Sequence, residues 1–217
     1  ISRAQEQLFC TLGGNIETIA VRGSFDDCQT MVKNMFEKQD LRDTLGLNSA
    51  NSINVSRLVA QVLYYWDLVA ALPAENVAGG HRGGLVVSVP SGNFGDLTAG
   101  LVARAMGAPI RRFIAATNVN DTVPRYLSTG RWEPKETIPT TSNAMDVSEP
   151  SNWPRTARVM KDYGVPVSAV SVDEAATVRA MRELDSMGYT AEPHAAVAWA
   201  ALGEARGHHV LGHVTGH

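Results

Sequence analysis

Lysine is the scarcest charged residue in this 217-residue chain, with four lysines against 15 arginines. Any chemistry that needs a side-chain amine is therefore confined to Lys33, Lys38, Lys135 and Lys161. Lys33 and Lys38 lie beside Glu37 and Asp40 on what reads as a solvated helix face, and neither Lys135 nor Lys161 sits in a motif. Cysteine occurs only at Cys10 and Cys28, without C-x-x-C spacing. That excludes a disulfide scaffold and predicts a reducing, cytoplasmic compartment with two inert, buried thiols. No apolar run approaches the roughly 18 residues of a membrane helix. With 19 basic and 22 acidic residues and no dense basic block, neither nucleic acid nor an anionic membrane surface is an expected partner. Residues Ile1 to Gln7 have no signal- or transit-peptide layout, and the chain is expected to begin in mid-protein.

What is present is an α/β alternation of short apolar runs and longer helical patterns. A strand is predicted at Ile16 to Val21, then a helix from the Ser24 cap to about Lys38. A polar loop over Leu47 to Asn54 leads to a long helix, roughly Ile53 to Leu72, with Leu58, Val62, Tyr65 and Val69 on one apolar face. Pro73 to Gly84 reads as a linker. Strands follow at Leu85 to Val89 and Ile110 to Ala116, flanking a helix that runs to about Met106. Thr117 to Pro124 reads as a polar loop, and the span from Tyr126 to Pro154 lacks periodicity. Helices near Arg155 to Asp162, Asp173 to Met187 and Ala195 to Ala205, an apolar segment at Val165 to Val172 and a last strand at His209 to Val214 complete the reading.

The most informative stretch is Ser91-Gly92-Asn93-Phe94-Gly95-Asp96, placed between an apolar strand and a helix. Amides in such a loop and in the first helical turn lack intrahelical partners, and the helix dipole adds positive potential, so an anionic phosphoryl group suits them. Neither G-x-x-x-x-G-K-[ST] nor G-x-G-x-x-G occurs, which argues against a nucleoside triphosphate or a dinucleotide. On chemistry alone, a structural turn explains the stretch equally well. His213 and His217, with His208 and His209, suggest zinc only if they share a helix and find a third ligand. Because that segment reads as strand and loop, no metal is expected.

At Ser91 to Asp96 the chain closely resembles the phosphate loop of bacterial threonine synthases, pyridoxal-phosphate enzymes of the tryptophan-synthase-β-like fold (fold type II). Similar blocks lie at Phe9 to Thr18, Leu47 to Asn54, Ala115 to Pro124, Ser142 to Ser148 and Gly188 to Val197, so the resemblance spans nearly the whole chain. It implies an open, twisted, mainly parallel sheet flanked by helices and incomplete at both ends. Residues 1–50 would end a smaller lobe, and residues 51–217 would form a larger lobe that binds the cofactor's phosphate. The implied reaction converts O-phospho-L-homoserine and water to L-threonine and phosphate, with the cofactor ring as electron sink.

The resemblance further implies that Ser91, Gly92, Asn93, Phe94 and Gly95 cradle the cofactor's phosphate, while Thr215 meets its pyridine nitrogen. Substrate-binding candidates are Ser52, Asn54, Asn118, Asn120, Asp121, Thr122, Asn152, Arg155 and His194. Capping, turn or packing roles remain open for Ser52, Asn120, Asp121 and His194, and a surface role for Arg155. The family's Schiff-base lysine belongs to a Phe-Lys-Asp block that this chain does not contain, so the catalytic residue is left unassigned. Alternatives are another lyase of the same fold, such as a serine/threonine dehydratase, or a lysine-less phosphate-binding protein that is not an enzyme. Monomer and homodimer are both left open.

Overall fold

The computed structural model describes residues 3–52, 54–73, 85–203 and 210–212. The chain divides into two compact units, Ile1–Leu47 and Asn48–His217. Thr215 and the histidines at 208, 209, 213 and 217 lie outside the described residues, as does most of the linker after Pro73.

The first unit is helical, with α1 (Arg3–Cys10), α2 (Phe25–Glu37) and α3 (Gln39–Leu45). A reciprocal capping box starts α2: the Asp27 amide donates to Ser24 Oγ at 3.2 Å and the Ser24 amide to Asp27 Oδ2 at 2.7 Å, as the Ser24-x-x-Asp27 spacing predicts. The strand expected at Ile16 to Val21 is not formed. These residues are irregular and exposed, with Ile19 at 83 %, and no strand pairs with them among the described residues, so their backbone groups have no ladder to join. The two thiols also differ from expectation. Cys10 ends α1 and is exposed, and Cys28 is half-buried.

The second unit runs α4 (Val55–Ala71), β1 (Leu85–Pro90), α5 (Gly95–Ala105), β2 (Ile110–Thr117), α6 (Thr122–Thr129), a 3-10 turn (Asn143–Met145), α7 (Trp153–Tyr163), β3 (Val167–Ser171), α8 (Glu174–Ser186), α9 (Pro193–Leu202) and β4 (Val210–Gly212). The strands form one parallel sheet in the order β3-β2-β1-β4. Side chains alternate between its faces. Leu85, Val87 and Val89 of β1, with Phe113 and Ala115 of β2, pack against α4, α5 and α7. Val86, Ile114 and Ala116 point the other way, onto Val197, Ala198, Ala201 and Leu202 of α9. Ser88, within β1, donates to the Ala198 carbonyl at 2.8 Å. On the first face, Gly100 lets α5 approach Tyr65 of α4. A β-carbon there would lie 2.5 Å from Tyr65 Cζ.

One helix departs from the expected pattern. α6 occupies part of the expected loop after β2, with Pro124 third in the helix, where the missing N–H has no intrahelical acceptor to lose. Among the described residues, no helix is long and apolar enough to cross a membrane.

The strand order reverses at β1, whose neighbours are the later strands β2 and β4. In open parallel sheets the crevice at such a reversal, outside the carboxyl ends of the strands, is the usual ligand position. Ser91 to Gly95 leave β1 at that end.

Candidate functional site

Ser91 still belongs to the sheet. Its amide donates to the Ala116 carbonyl at 2.7 Å, and its hydroxyl to the Val89 carbonyl at 2.8 Å. The next six amides, Gly92 to Leu97, find no acceptor among the described residues, and the α5 ladder begins with Thr98 N–H donating to the Phe94 carbonyl at 3.1 Å. Phe94 is the N-cap of α5, but its side chain cannot cap. It is a non-glycine residue in the left-handed region (φ 62°, ψ 14°), a conformation that costs about 1–2 kcal/mol. Its buried ring meets Trp153 edge to face at 5.5 Å, and this packing holds the strained residue.

A second helix start lies alongside. The N-cap of α7, Asn152, makes no side-chain capping bond. Thr98 and Thr156, each fourth in its helix, approach at 2.8 Å between hydroxyl oxygens and join the first turns of α5 and α7. Asn152 is fully buried. Its Oδ1 accepts from Arg155 Nη1 at 2.6 Å, while its Nδ2 has no partner. That nitrogen lies 3.6 Å from where a β-carbon on Gly95 would stand.

Asn93 ties these parts together. Its Nδ2 donates to Ser52 Oγ at 2.8 Å, and its Oδ1 accepts from the Ser151 amide at 2.6 Å and the Ser151 hydroxyl at 3.0 Å. Arg155 Nη1 also donates to the Ser52 carbonyl at 3.0 Å. Four of the sequence candidates, Ser52, Asn93, Asn152 and Arg155, therefore share one hydrogen-bonded group. Thr98, Ser151, Trp153 and Thr156 are not among the residues the sequence singles out. Only the position of a threonine one turn into each of two helices hints at the pair, and nothing in the sequence joins them.

Asp96 occupies the first turn of α5. The helix dipole favours a carboxylate there, but the side chain is buried and both its oxygens lack partners. Burial raises its pKa to about 7, against a smaller downward pull from Tyr65. The Tyr65 hydroxyl, itself held well above its ordinary value by burial, donates to the Asp96 backbone carbonyl at 3.0 Å. A carboxyl that is largely neutral below pH 7 does not set a full negative charge beside the free amides.

The remaining candidates lie elsewhere in the unit. Asn118 Nδ2 is within reach of Thr140 Oγ1 (2.9 Å), Ser142 Oγ (3.1 Å) and Asp146 Oδ1 (2.9 Å). Its Oδ1 accepts from the amide and side chain of Asn120, both at 3.0 Å. Asn120 in turn exchanges bonds with the backbone of Ile138. This buried network folds residues 138–146 back onto the end of β2. Asp121 pairs with Arg125 at 2.7 Å, and Thr122 is buried beside them. Asn54 caps α4 by accepting from the Ser56 amide at 3.0 Å. His194 Nε2 accepts from the Ala144 amide at 3.2 Å, and its Nδ1 contacts Glu192. The Glu192 carboxyl stays below its ordinary range: burial pushes it up, but bonds from His194 and Ala195 outweigh that.

All four lysines are exposed. Among the described residues, no cluster of three His, Cys, Asp or Glu side chains could hold a metal. The donor set, six free amides and the Asn152 Nδ2, fits an anion rich in acceptor oxygens. A phosphate monoester is such a group, and the cofactor phosphate of a pyridoxal enzyme meets this description.

A family model described as "Pyridoxal-phosphate dependent enzyme" matches residues 2–215. The threonine synthase of Escherichia coli (strain K12) is 58% identical over 209 residues, covering 93% of this chain and 47% of that protein. The crystal structure of threonine synthase from Escherichia coli superposes with a TM-score of 0.87, covering 92% of this chain and 46% of its own. The PLP-bound threonine synthase from Brucella melitensis superposes with a TM-score of 0.70 at 33% identity, covering 89% of this chain and 47% of that one. The chain spans about half the length of the curated relatives it matches.

Proposed function

The chain belongs to the pyridoxal-phosphate dependent enzyme family, and on that footing we propose that the protein carrying it is a threonine synthase, which converts O-phospho-L-homoserine and water to L-threonine and phosphate. Pyridoxal phosphate, the cofactor of this family, supplies when bound an electron sink that makes protons on neighbouring substrate carbons removable. The observation that carries the reading is the run of free amides from Gly92 to Leu97 at the reversal of strand order, beside a second uncapped helix start.

In this reading Gly92, Asn93, Phe94 and Gly95 present their amides to the cofactor's phosphate, and Ser91 fixes the loop to the sheet. The Asn93 side chain, for its part, holds the loop in place through Ser52 and Ser151. Asn152 Nδ2 adds a side-chain donor to the same cradle, and the Arg155 guanidinium beside it is the cation that the substrate's phosphate or carboxylate would find. Thr215 takes the pyridine nitrogen. The reading includes a cytoplasmic location, with which the unpaired Cys10 and Cys28 agree.

The test is an assay of the full-length protein loaded with pyridoxal phosphate. Supplied with O-phospho-L-homoserine, it releases threonine and inorganic phosphate in equal amounts. Formation of a keto acid from serine or threonine instead, without phosphate release, would replace this reading with a dehydratase. Loss of borohydride labelling at every lysine of the full-length protein would favour a phosphate-binding protein that is not an enzyme.

A further inference from the structure

We infer that His194 is a positioning residue for the Gly92 loop, acting through the 3-10 turn at Asn143–Met145. The inference rests on the phosphate-cradle reading above. The Ala144 amide can only donate, so His194 Nε2, 3.2 Å away, must carry the lone pair. The ring proton is therefore on Nδ1, directed at Glu192. Glu192 fixes the ring in turn, because it also accepts from the His194 amide at 3.0 Å and the Ala195 amide at 2.8 Å, as the cap of α9. One carboxylate thus sets both the helix start and the tautomer.

The same turn rests on the loop. A β-carbon on Gly92 would lie 2.7 Å from Met145 Cα and 3.0 Å from the Ala144 carbonyl oxygen. Ala144 is therefore held on its amide side by His194 and abuts Gly92 on its carbonyl side. Met145 is buried among Val197 and Ala198 of α9, the helix that bears His194. The other acidic groups near this turn are committed elsewhere: Asp146 to Thr140 and Asn118, and Glu174 to Thr141. His194 thereby fixes the distance between the turn and the loop.

The test uses the full-length protein with His194→Leu, His194→Gln and Glu192→Gln, reading amide hydrogen exchange over residues 143–147 without cofactor and the affinity for pyridoxal phosphate. His194→Leu removes the acceptor, and we expect exchange at the turn to rise about tenfold and cofactor affinity to fall about fivefold. His194→Gln places an amide oxygen near the Nε2 position and restores both to within about twofold. If His194→Leu does not fold, Glu192→Gln, which frees the ring but keeps the acceptor, raises exchange at the turn by a smaller factor. Unchanged exchange in His194→Leu, or in Glu192→Gln where that variant stands in, overturns the inference. So does raised exchange with unchanged cofactor affinity. Gly92→Ala separates the two ideas: if it leaves cofactor affinity unchanged, the cradle reading fails, while the exchange measurement still judges His194.

Discussion

Thr98 and Thr156 meet at 2.8 Å between hydroxyl oxygens, 58 positions apart in sequence, and bind the first turns of two helices side by side. Their neighbouring carbonyls do not depend on them: Phe94 and Asn152 also receive the amides of Thr98 and Thr156 at 3.1 and 2.9 Å. Replacing either threonine by valine removes the shared bond, at about 0.5–1.5 kcal/mol, while the remaining hydroxyl keeps its own carbonyl, Thr98 donating to Phe94 at 2.6 Å and Thr156 to Asn152 at 3.0 Å. The shared bond is lost in each single variant, so the double variant loses less than the sum of the singles. Urea unfolding of the four proteins in a double-mutant cycle measures the difference.

Phe94 sets backbone strain against packing. Glycine in its place would relieve a left-handed conformation costing about 1 kcal/mol. It would also delete a buried ring packed on Trp153, a loss of about 3–5 kcal/mol. Lost packing outweighs relieved strain, and Phe94→Gly is predicted to be destabilised by about 2–4 kcal/mol, with a changed tryptophan emission reporting the exposed face of Trp153. A stabilised variant would show that the strain outweighs the packing.

Asp96 makes the stability of the cofactor-free protein depend on pH. Its carboxyl titrates at about 7 in the fold and near 4 when unfolded. Between those values the folded chain keeps a proton that the unfolded chain has released, so stability falls as pH rises from about 4 to about 7 and is level above that. Asp96→Asn removes this loss. The variant is predicted to match the parent at pH 4 and to exceed it at pH 8 by at most about 4 kcal/mol, as read by urea midpoints at the two pH values.

Gly100 is a helix-interior glycine that alanine should improve by about 1 kcal/mol on propensity alone. The added methyl would stand 2.5 Å from Tyr65 Cζ and 2.8 Å from Phe113 Cε1, both in fully buried rings. Overpacking of about 1–3 kcal/mol prevails. Gly100→Ala is expected to melt several degrees lower, and a higher melting temperature would contradict the close approach of α4 and α5.

Local signals in the sequence carry the second unit well. The alternation Leu85, Val87, Val89 against Val86 and Ser88 is legible as a buried strand, and Ser24 with Asp27 as a helix start. The failures share a cause: the sequence does not name the partner. Ile16 to Val21 reads as a strand by composition, but a strand exists only beside another, and none pairs with it among the described residues. Pro124 masks α6 because a proline near a helix start and one in a loop look alike. Asn118 and Asn120 are legible as hydrogen-bonding residues of the polar stretch after β2, but their partners Thr140, Ser142, Asp146 and Ile138 lie in a segment that the sequence does not join to them. The loop at Ser91 to Asp96 is visible in the sequence, whereas its supports, Thr156, Ser151 and Trp153, arrive from a distant segment.

In the proposed site the amides of Gly92 to Leu97 receive the cofactor's phosphate. The most direct measurement is the amide resonances of Gly92 and Gly95 in full-length protein labelled with 15N-glycine, with pyridoxal phosphate compared against pyridoxal. Both amides are expected to shift downfield with the phosphorylated cofactor, and neither with pyridoxal. Resonances that respond equally to the two compounds, or to neither, would contradict this role of the amides.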